Sequence, residues 1–161
     1  MEPEDLDLLY HIENDPKVWM VSATSVPYSR YTLHDYIAHS SGNIYADGQV
    51  RLMIENEDGQ VVGIADIVNF DAKHRRAEVG IVIEQTHRRK GYALQALRQI
   101  ADYSLRVLHL HQLYAIVAAN NLPSVSLFSV AGFIQTAVVK DWLFDGETYL
   151  EALILQRVLT Q

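Results

Sequence analysis

The sequence predicts an α/β fold, and three observations carry this prediction. Three- and four-residue hydrophobic spacing near the N terminus gives way to strand-like alternation from Gln49 onward. Two tight turns, EDGQ at 57–60 and DG at 145–146, each join two strand-like runs and are typical of hairpins. Between them, residues 75–108 have the order strand, basic glycine loop and long helix. We therefore expect a sheet flanked by helices.

The predicted elements follow the order ααβββαβαββ. Residues 3–14 form a helix, since Leu6, Leu9 and Tyr10 have helical spacing and acidic residues occupy the first turn. Residues 19–29 are irregular, and residues 32–39 form a short helix with Thr32 as its cap. Strands are predicted at 50–55, 61–70, 77–84, 112–118, 133–144 and 148–158, and helices at 93–108 and 123–130.

The composition favours one domain and excludes several kinds of site. The chain has 161 residues, of which 49% are hydrophobic, so we expect a single domain over residues 1–161. A net charge of −7 argues against nucleic-acid binding and for a cationic substrate. The absence of cysteine excludes disulfides and thiolate chemistry and fits the cytoplasm. No membrane span is predicted, and His109 and His111 lack the further ligands of a metal site.

The segment from Arg88 to Ala93, RRKGYA, predicts a site for a phosphate or pyrophosphate. A loop that opens a helix directs free backbone N–H groups and the positive end of the helix dipole to one place, where its basic side chains add charge. A side chain at Gly91 would block the approach of the anion to the backbone. The two familiar phosphate-loop motifs do not fit, and the alternative is a basic surface turn.

The pattern R/Q-x-x-G-x-G/A, here Arg88, Gly91 and Ala93, resembles the acyl-CoA pyrophosphate loop of the GNAT N-acetyltransferases. The stretches AEVGIVIEQTHRRKGYALQAL and NNLPSVSLFSVAGF and the hairpin at 145–146 extend the resemblance to most of the chain. HRRAEVGIVI, ADYSLRVLHLHQLYAIV and FDGETYLEALI are most similar to the spermidine and ribosomal-protein N-acetyltransferase branch. The resemblance implies a mixed, mostly antiparallel sheet of about six strands. Family members usually begin with a strand that this sequence lacks, so the strand is either dispensable or trimmed.

The resemblance also implies where acetyl-CoA, the cosubstrate, is bound. Main-chain groups of a central strand that splays from its neighbour hold the pantetheine arm and the thioester, which carries over to Ile81, Val82 and Ile83. The pyrophosphate falls on Arg88, Arg89, Lys90, Gly91, Tyr92, Ala93 and Leu94. Asn121, with Ser124, Phe128 and Gly132, matches N-x-x-S/A-x-x-x-Y-x-x-x-G-F and would contact the pantetheine, although Asn121 equally fits a helix cap.

Glu78 is the candidate general base. A primary ammonium, with a pKa of about 10.4, is charged at neutral pH, so a carboxylate should help to deprotonate it directly or through water. Glu78 lies on the strand face opposite Val79, Ile81 and Ile83, and relatives carry an acid at the matching place. The alternative is an exposed glutamate paired with Arg75 or Arg76.

The general acid usual in the family is missing. A tyrosine occupies the position held here by Phe128, and phenylalanine has no proton to give. Water or another residue, such as Tyr92, Tyr45 or Tyr149, could protonate the sulfur. Alternatively, the thiolate leaves unaided, since a thiol pKa of about 8.5 makes it a tolerable leaving group, or the protein binds acyl-CoA without transferring the acyl group.

We predict an N-acetyltransferase that moves acetyl from acetyl-CoA to a primary amine by direct attack in a ternary complex. The acceptor is a polyamine-like small molecule or a protein N-terminus. Spermidine acetyltransferases carry an acidic cluster before the second helix, whereas VSATSVPYSRY at 21–31 has none, which argues against a polyamine. The alternative function is a non-catalytic acyl-CoA-binding or regulatory domain. The last strands and the long helix could support a homo-oligomer.

Overall fold

The computed structural model describes residues 1–16 and 27–160, and this part of the chain forms five α-helices and six strands. The helices are α1 (Leu6–Glu13), α2 (Arg30–His39), α3 (Ile44–Asp47), α4 (Tyr92–Arg106) and α5 (Leu122–Val130). The strands are β1 (Val50–Glu55), β2 (Val61–Asp71), β3 (Arg76–Ile83), β4 (Gln112–Ala118), β5 (Ile134–Phe144) and β6 (Tyr149–Val158). Single 3-10 turns lie at Pro3–Asp5 and Gln85–His87.

The predicted element order is confirmed, with α3 as an addition. A helix of four residues is too short to show a period, which is why the sequence does not reveal it. Helix α2 begins two residues earlier than predicted because Ser29 is its cap: the Ser29 hydroxyl accepts a hydrogen bond from the backbone N–H of Thr32 at 3.0 Å. The prediction of Thr32 as the cap is therefore wrong. Most of the irregular connection predicted at 19–29 lies outside the described residues.

The strands form one mixed sheet in the order β1-β2-β3-β4-β6-β5, in which β3 and β4 are the parallel pair. The pairing of β3 with β4 covers three rungs and ends at Glu78 and Tyr114. Beyond that rung β3 stays paired with β2, and β4 stays paired with β6. The two halves of the sheet therefore separate and leave a V-shaped opening, as expected for the central strand.

Helices cover both faces of the sheet. On one face, α4 and α5 contribute Leu97, Ile100 and Phe128 to the main hydrophobic core, which also includes Val79 and Ile81 of β3. On the other face, Leu9 and Ile12 of α1 and Leu33 of α2 pack with Ile64, and Val82 of β3 lies against this second cluster. The alternation of β3 is confirmed, because its successive side chains serve two separate cores.

Gly63 lets β2 lie close to the part of β3 that β4 has left. Gly63 is the register partner of Ile83. A Cβ atom at Gly63 would lie 2.4 Å from the carbonyl oxygen of Val82, a distance at which the backbone would have to move. The missing side chain therefore fixes the position of β3 along one wall of the opening.

Candidate active site

A cavity of about 350 Å³ occupies the opening between β3 and β4. Strands β3 and β4 form its two walls, helix α5 closes one side, and α1, β1 and β2 line the other. We call this cavity the cleft. Six of the predicted site residues line it: Glu78, Ile81, Val82, Asn121, Ser124 and Phe128. The fold thus brings the candidate base, the central strand and the asparagine-bearing helix together around one space.

Glu78 lies at the apex of the opening. It is half-buried, lines the cleft and occupies the last rung of the β3–β4 pairing, opposite Tyr114. One carboxylate oxygen, Oε2, accepts a hydrogen bond from the side-chain amide of Asn69 at 2.9 Å. The predicted alternative partners bind elsewhere: Arg75 donates to the carbonyl oxygen of His109, and Arg76 pairs with Asp71 at 3.4 Å. The glutamate is therefore placed toward the cleft and away from a surface ion pair.

The predicted phosphate loop lies where β3 ends and α4 begins. Gly91 is the N-cap residue of α4, and its φ of +89° belongs to the left-handed region that favours glycine. No side chain caps this helix, and a Cβ atom at Gly91 would meet no atom within 4 Å. The N–H groups of the first turn therefore have no side-chain cap, and the space beside Gly91 is open. This positive φ, which the sequence did not reveal, is a second reason for glycine at this position.

Three basic residues surround this helix end. Arg88, Arg89 and Lys90 are exposed, and Arg89 also has a left-handed φ of +63°. The Nε atom of Arg88 donates to the carbonyl oxygen of Ile83 at 2.9 Å, which ties the loop to the end of β3. Positive side chains, unpaired N–H groups and the helix dipole thus converge on one exposed place.

Asn121 has the capping role that the sequence allowed. It is the N-cap residue of α5, and its Oδ1 accepts a hydrogen bond from the backbone N–H of Ser124 at 3.3 Å. The same residue lines the cleft. A cap and a contact with the pantetheine arm are therefore compatible, and the second role remains a prediction.

Phe128 lines the cleft from α5 but is almost completely buried, with 3% of its surface exposed. Its ring packs edge-on against Phe133, with 5.0 Å between the ring centroids. The tyrosines considered as substitute proton donors lie elsewhere. Tyr92 lines a separate groove beside α4, Tyr45 packs on Phe70, and Tyr149 packs on Phe144. Water and an unaided thiolate thus remain as explanations for the missing acid.

Sequence reasoning missed a buried ion cluster that lines the cleft. Arg51 donates to both carboxylate oxygens of Asp66, at 2.7 and 3.0 Å, and to Glu13 at 2.5 Å. Burial lowers the pKa of Arg51, but the hydrogen bonds and charges of the two carboxylates outweigh burial and hold that pKa above its ordinary value. Arg51 and Asp66 each interrupt a hydrophobic strand, and this is the signal that could have revealed them.

Comparison with known proteins identifies the family. A family model described as an acetyltransferase (GNAT) domain matches residues 1–134. The chain belongs to the GNAT acetyltransferase family. This acetyltransferase is similar to the spermidine N(1)-acetyltransferase of Escherichia coli K12, with 29% identity over 150 residues that cover 91% of this chain and 77% of the relative.

Two solved structures of Vibrio cholerae spermidine N-acetyltransferase resemble this acetyltransferase. The complex with CoA and spermine has a TM-score of 0.89 and 24% identity, covering 99% of this chain and 92% of the other. The dodecameric structure in an intermediate state has a TM-score of 0.83 and 25% identity, covering 99% and 91%. The predicted GNAT fold and the resemblance to the spermidine acetyltransferase branch are confirmed.

Family membership gives the activity in outline: the protein is an acetyltransferase, and acetyl-CoA is its cosubstrate. The comparisons support this prediction and not the alternative of a non-catalytic acyl-CoA-binding domain. Within residues 1–16 and 27–160, this acetyltransferase has no helix with the length and hydrophobicity needed to cross a bilayer.

Proposed function

We propose that this acetyltransferase transfers the acetyl group directly to a primary amine, with acetyl-CoA and the amine bound together in the cleft. The observation that carries the proposal is the separation of β3 from β4 at Glu78, which leaves a carboxylate at the apex of the opening. The candidate base and a strand with unpaired main-chain groups then line the same cavity.

Acetyl-CoA is proposed to lie along β3. Where β4 departs, β3 has no partner strand on that side, so main-chain groups of Ile81, Val82 and Ile83 are available to the pantetheine arm and the thioester carbonyl, except the carbonyl oxygen of Ile83, which accepts from Arg88. Asn121 and Ser124 line the same space from α5. The pyrophosphate is proposed at the uncapped start of α4, on the backbone of Gly91, Tyr92, Ala93 and Leu94 and beside the basic side chains of Arg88, Arg89 and Lys90.

The chemical step needs one base and one leaving group. Glu78 accepts a proton from the ammonium, directly or through water, and the freed nitrogen attacks the thioester carbonyl carbon. Main-chain N–H groups of β3 stabilise the oxyanion, the nitrogen of the tetrahedral intermediate loses its second proton to water, and the C–S bond breaks to give an amide and the CoA thiolate. Phe128 supplies no proton, so the thiolate leaves as such and is protonated by water.

The charge of the cleft favours a cationic acceptor. Its described lining contains three carboxylates, those of Glu13, Asp66 and Glu78, and one guanidinium, that of Arg51, which sum to −2. These carboxylates come from α1, β2 and β3, so the lack of acidic residues at 21–31 does not leave the cleft uncharged. Similarity to enzymes named for spermidine adds to this argument. We therefore propose a polyamine-like acceptor, with a protein N-terminus as the second candidate because it also presents an ammonium.

The proposal is tested by turnover of the purified protein with acetyl-CoA against polyamines, N-terminal peptides and amino sugars. We expect thiol release that matches the formation of an N-acetylated product for at least one polyamine. Saturable CoA binding without turnover on any amine would contradict the proposal.

The Phe128→Tyr variant tests the missing acid in the same assay. A phenol at this cleft-lining position should raise kcat by up to about a hundredfold, the lower end of the range for general acid catalysis. Phe133→Tyr is the matched control, because it adds the same hydroxyl to the neighbouring ring, which does not line the cleft. An equal rise in both variants would mean that the hydroxyl acts through packing and not through proton transfer.

We also propose that the protein is a homo-oligomer that associates through the outer side of β5. This strand ends the sheet, and its large apolar side chains are exposed, among them Ile134 at 68%, Trp142 at 57% and Phe144 at 60%. Apolar surface of this kind marks association sites. A similar structure is described as dodecameric.

Light scattering after gel filtration should give a mass above 18.3 kDa, and Trp142→Glu combined with Phe144→Glu should lower it. Val107→Glu is the control, since Val107 is 56% exposed but lies at the end of α4. A wild-type monomer at every concentration would contradict the proposed assembly.

A further inference from the structure

We infer that Asn69 is a positioning residue, whose side-chain amide fixes the carboxylate of Glu78 at the apex of the cleft. The inference rests on the proposed function, since it gives Asn69 a task in acetyl transfer only if Glu78 is the base. Asn69 is itself exposed and does not line the cleft, whereas Glu78 does. Its contribution would therefore pass chiefly through the 2.9 Å hydrogen bond to Oε2.

The backbone at Asn69 is shaped for this contact. The β2–β3 ladder runs regularly to the Val68–Glu78 rung and resumes at Asp71–Arg76, so Asn69 and Phe70 form an irregularity between them. The N–H of Phe70 donates to the carbonyl oxygen of Gly48 at 3.1 Å. Asn69 has a φ of +50°, in the left-handed region that asparagine tolerates better than most residues.

This irregularity decides where the amide of Asn69 lies. Neighbouring residues of a regular strand point to opposite faces, so a residue directly after Val68 would point away from the face that Val68 shares with its partner Glu78. The left-handed turn breaks this alternation and brings the amide within hydrogen-bond distance of Glu78. A locally costly conformation thus coincides with contact to the candidate base.

Glu78 has two neighbouring donors, the amide of Asn69 and the phenol of Tyr114 on the last rung of β4. The pKa of Tyr114 is raised, first by burial and then by the negative charge of Glu78 and the hydrogen bond to Glu78, while Arg76 and the hydrogen bond with Asn69 act in the opposite direction. The phenol therefore stays neutral at physiological pH. On the cleft side, Asp66 and Glu13 are bound by Arg51. Of the two donors to Glu78, the amide of Asn69 is the one that binds Oε2 at 2.9 Å and has no proton to lose.

Two substitutions separate the amide from the backbone conformation. Asn69→Gly keeps the left-handed φ without strain but removes the donor, and Asn69→Asp replaces the donor with a second negative charge. Both should favour the protonated form of Glu78, so the base is lost at a higher pH than in the wild type. We expect the acid limb of kcat/KM against pH to move upward by about one pH unit in Asn69→Gly. The shift should be larger in Asn69→Asp, and the affinity for CoA should be unchanged.

Asn56→Gly is the matched control. Asn56 organises the β1–β2 turn by accepting hydrogen bonds from the N–H groups of Asp58 and Gln60, at 3.1 and 2.9 Å. Its replacement should lower the melting temperature without moving the pH profile. A similar shift in Asn56→Gly would show that Asn69→Gly acts through general destabilisation, and it would overturn the inference.

Glu78→Gln, measured beside these variants, distinguishes failure of the inference from failure of the proposed function. If Glu78→Gln removes the acid limb while Asn69→Gly and Asn69→Asp keep the wild-type profile, the base stands and Asn69 has no positioning role. If Glu78→Gln keeps the wild-type activity and profile, Glu78 is not the base and both proposals fail. Loss of the acid limb in Glu78→Gln, together with graded shifts in the Asn69 variants, is the expected result.

Discussion

Replacing Glu78 with glutamine should lower kcat/KM for amine acetylation by about 10²- to 10⁴-fold, the range of general base catalysis. The glutamine has the shape of the glutamate, and its amide oxygen can still accept the hydrogen bond from Asn69 that Oε2 accepts now. The fold and the affinity for CoA should therefore change little. What is lost is a group that can take a proton from an ammonium.

The measurement is kcat/KM against pH for the best acceptor, together with CoA affinity by calorimetry. In the variant the acid limb set by Glu78 should be absent, and the lower remaining rate should rise with pH up to the pKa of the free amine, because only amine that is already neutral can attack. Glu151→Gln is a suitable control, since Glu151 is an exposed strand glutamate on β6 that does not line the cleft. Wild-type activity in Glu78→Gln would rule out the proposed base.

Local sequence patterns were sufficient for most of the fold. The alternation of β3 and the small and apolar residues of α4 recur over several periods, so each element could be recognised without its neighbours. Glycine at the start of α4 and asparagine at the start of α5 are also local signals, because a helix end depends on the few residues around it. Family resemblance then supplied the splayed central strand.

The parts of the site that depend on distant residues could not be predicted. Glu13 and Arg51 are 38 positions apart and meet only because α1 packs across β1 and β2. The contact between Asn69 and Glu78 depends on an irregular register, and a regular hairpin would have turned the amide to the other face. The tyrosines could not be assigned for the same reason. Whether a tyrosine faces the cleft depends on distant residues, and its sequence position gave no information about this.

The ion cluster gives the second large expected effect. Replacing Arg51 with glutamine should lower the free energy of unfolding by about 3–5 kcal/mol, because it removes the shared cation from two poorly exposed carboxylates. Side chains in this cluster are 19% exposed for Arg51, 11% for Glu13 and 29% for Asp66, so water can replace only part of the lost interaction. Chemical denaturation of wild type and variant measures the difference.

Two comparisons show whether the stability lost in Arg51→Gln comes from buried carboxylates that are left without their cation. In Arg51→Gln combined with Asp66→Asn, the remaining cluster carries one carboxylate less, and much of the lost stability should return. Arg76→Gln breaks an ion pair with Asp71 at 3.4 Å whose arginine is 49% exposed, and it should lower stability far less than Arg51→Gln does. If Arg51→Gln costs no more than Arg76→Gln, the cluster is well solvated despite its burial.

If the double variant is less stable than Arg51→Gln, the asparagine loses contacts that the aspartate kept, and repulsion between carboxylates is not the cause. If stability is lost in Arg51→Gln and returns in the double variant, Arg51 serves chiefly to hold two carboxylates together on the wall of an acceptor cleft.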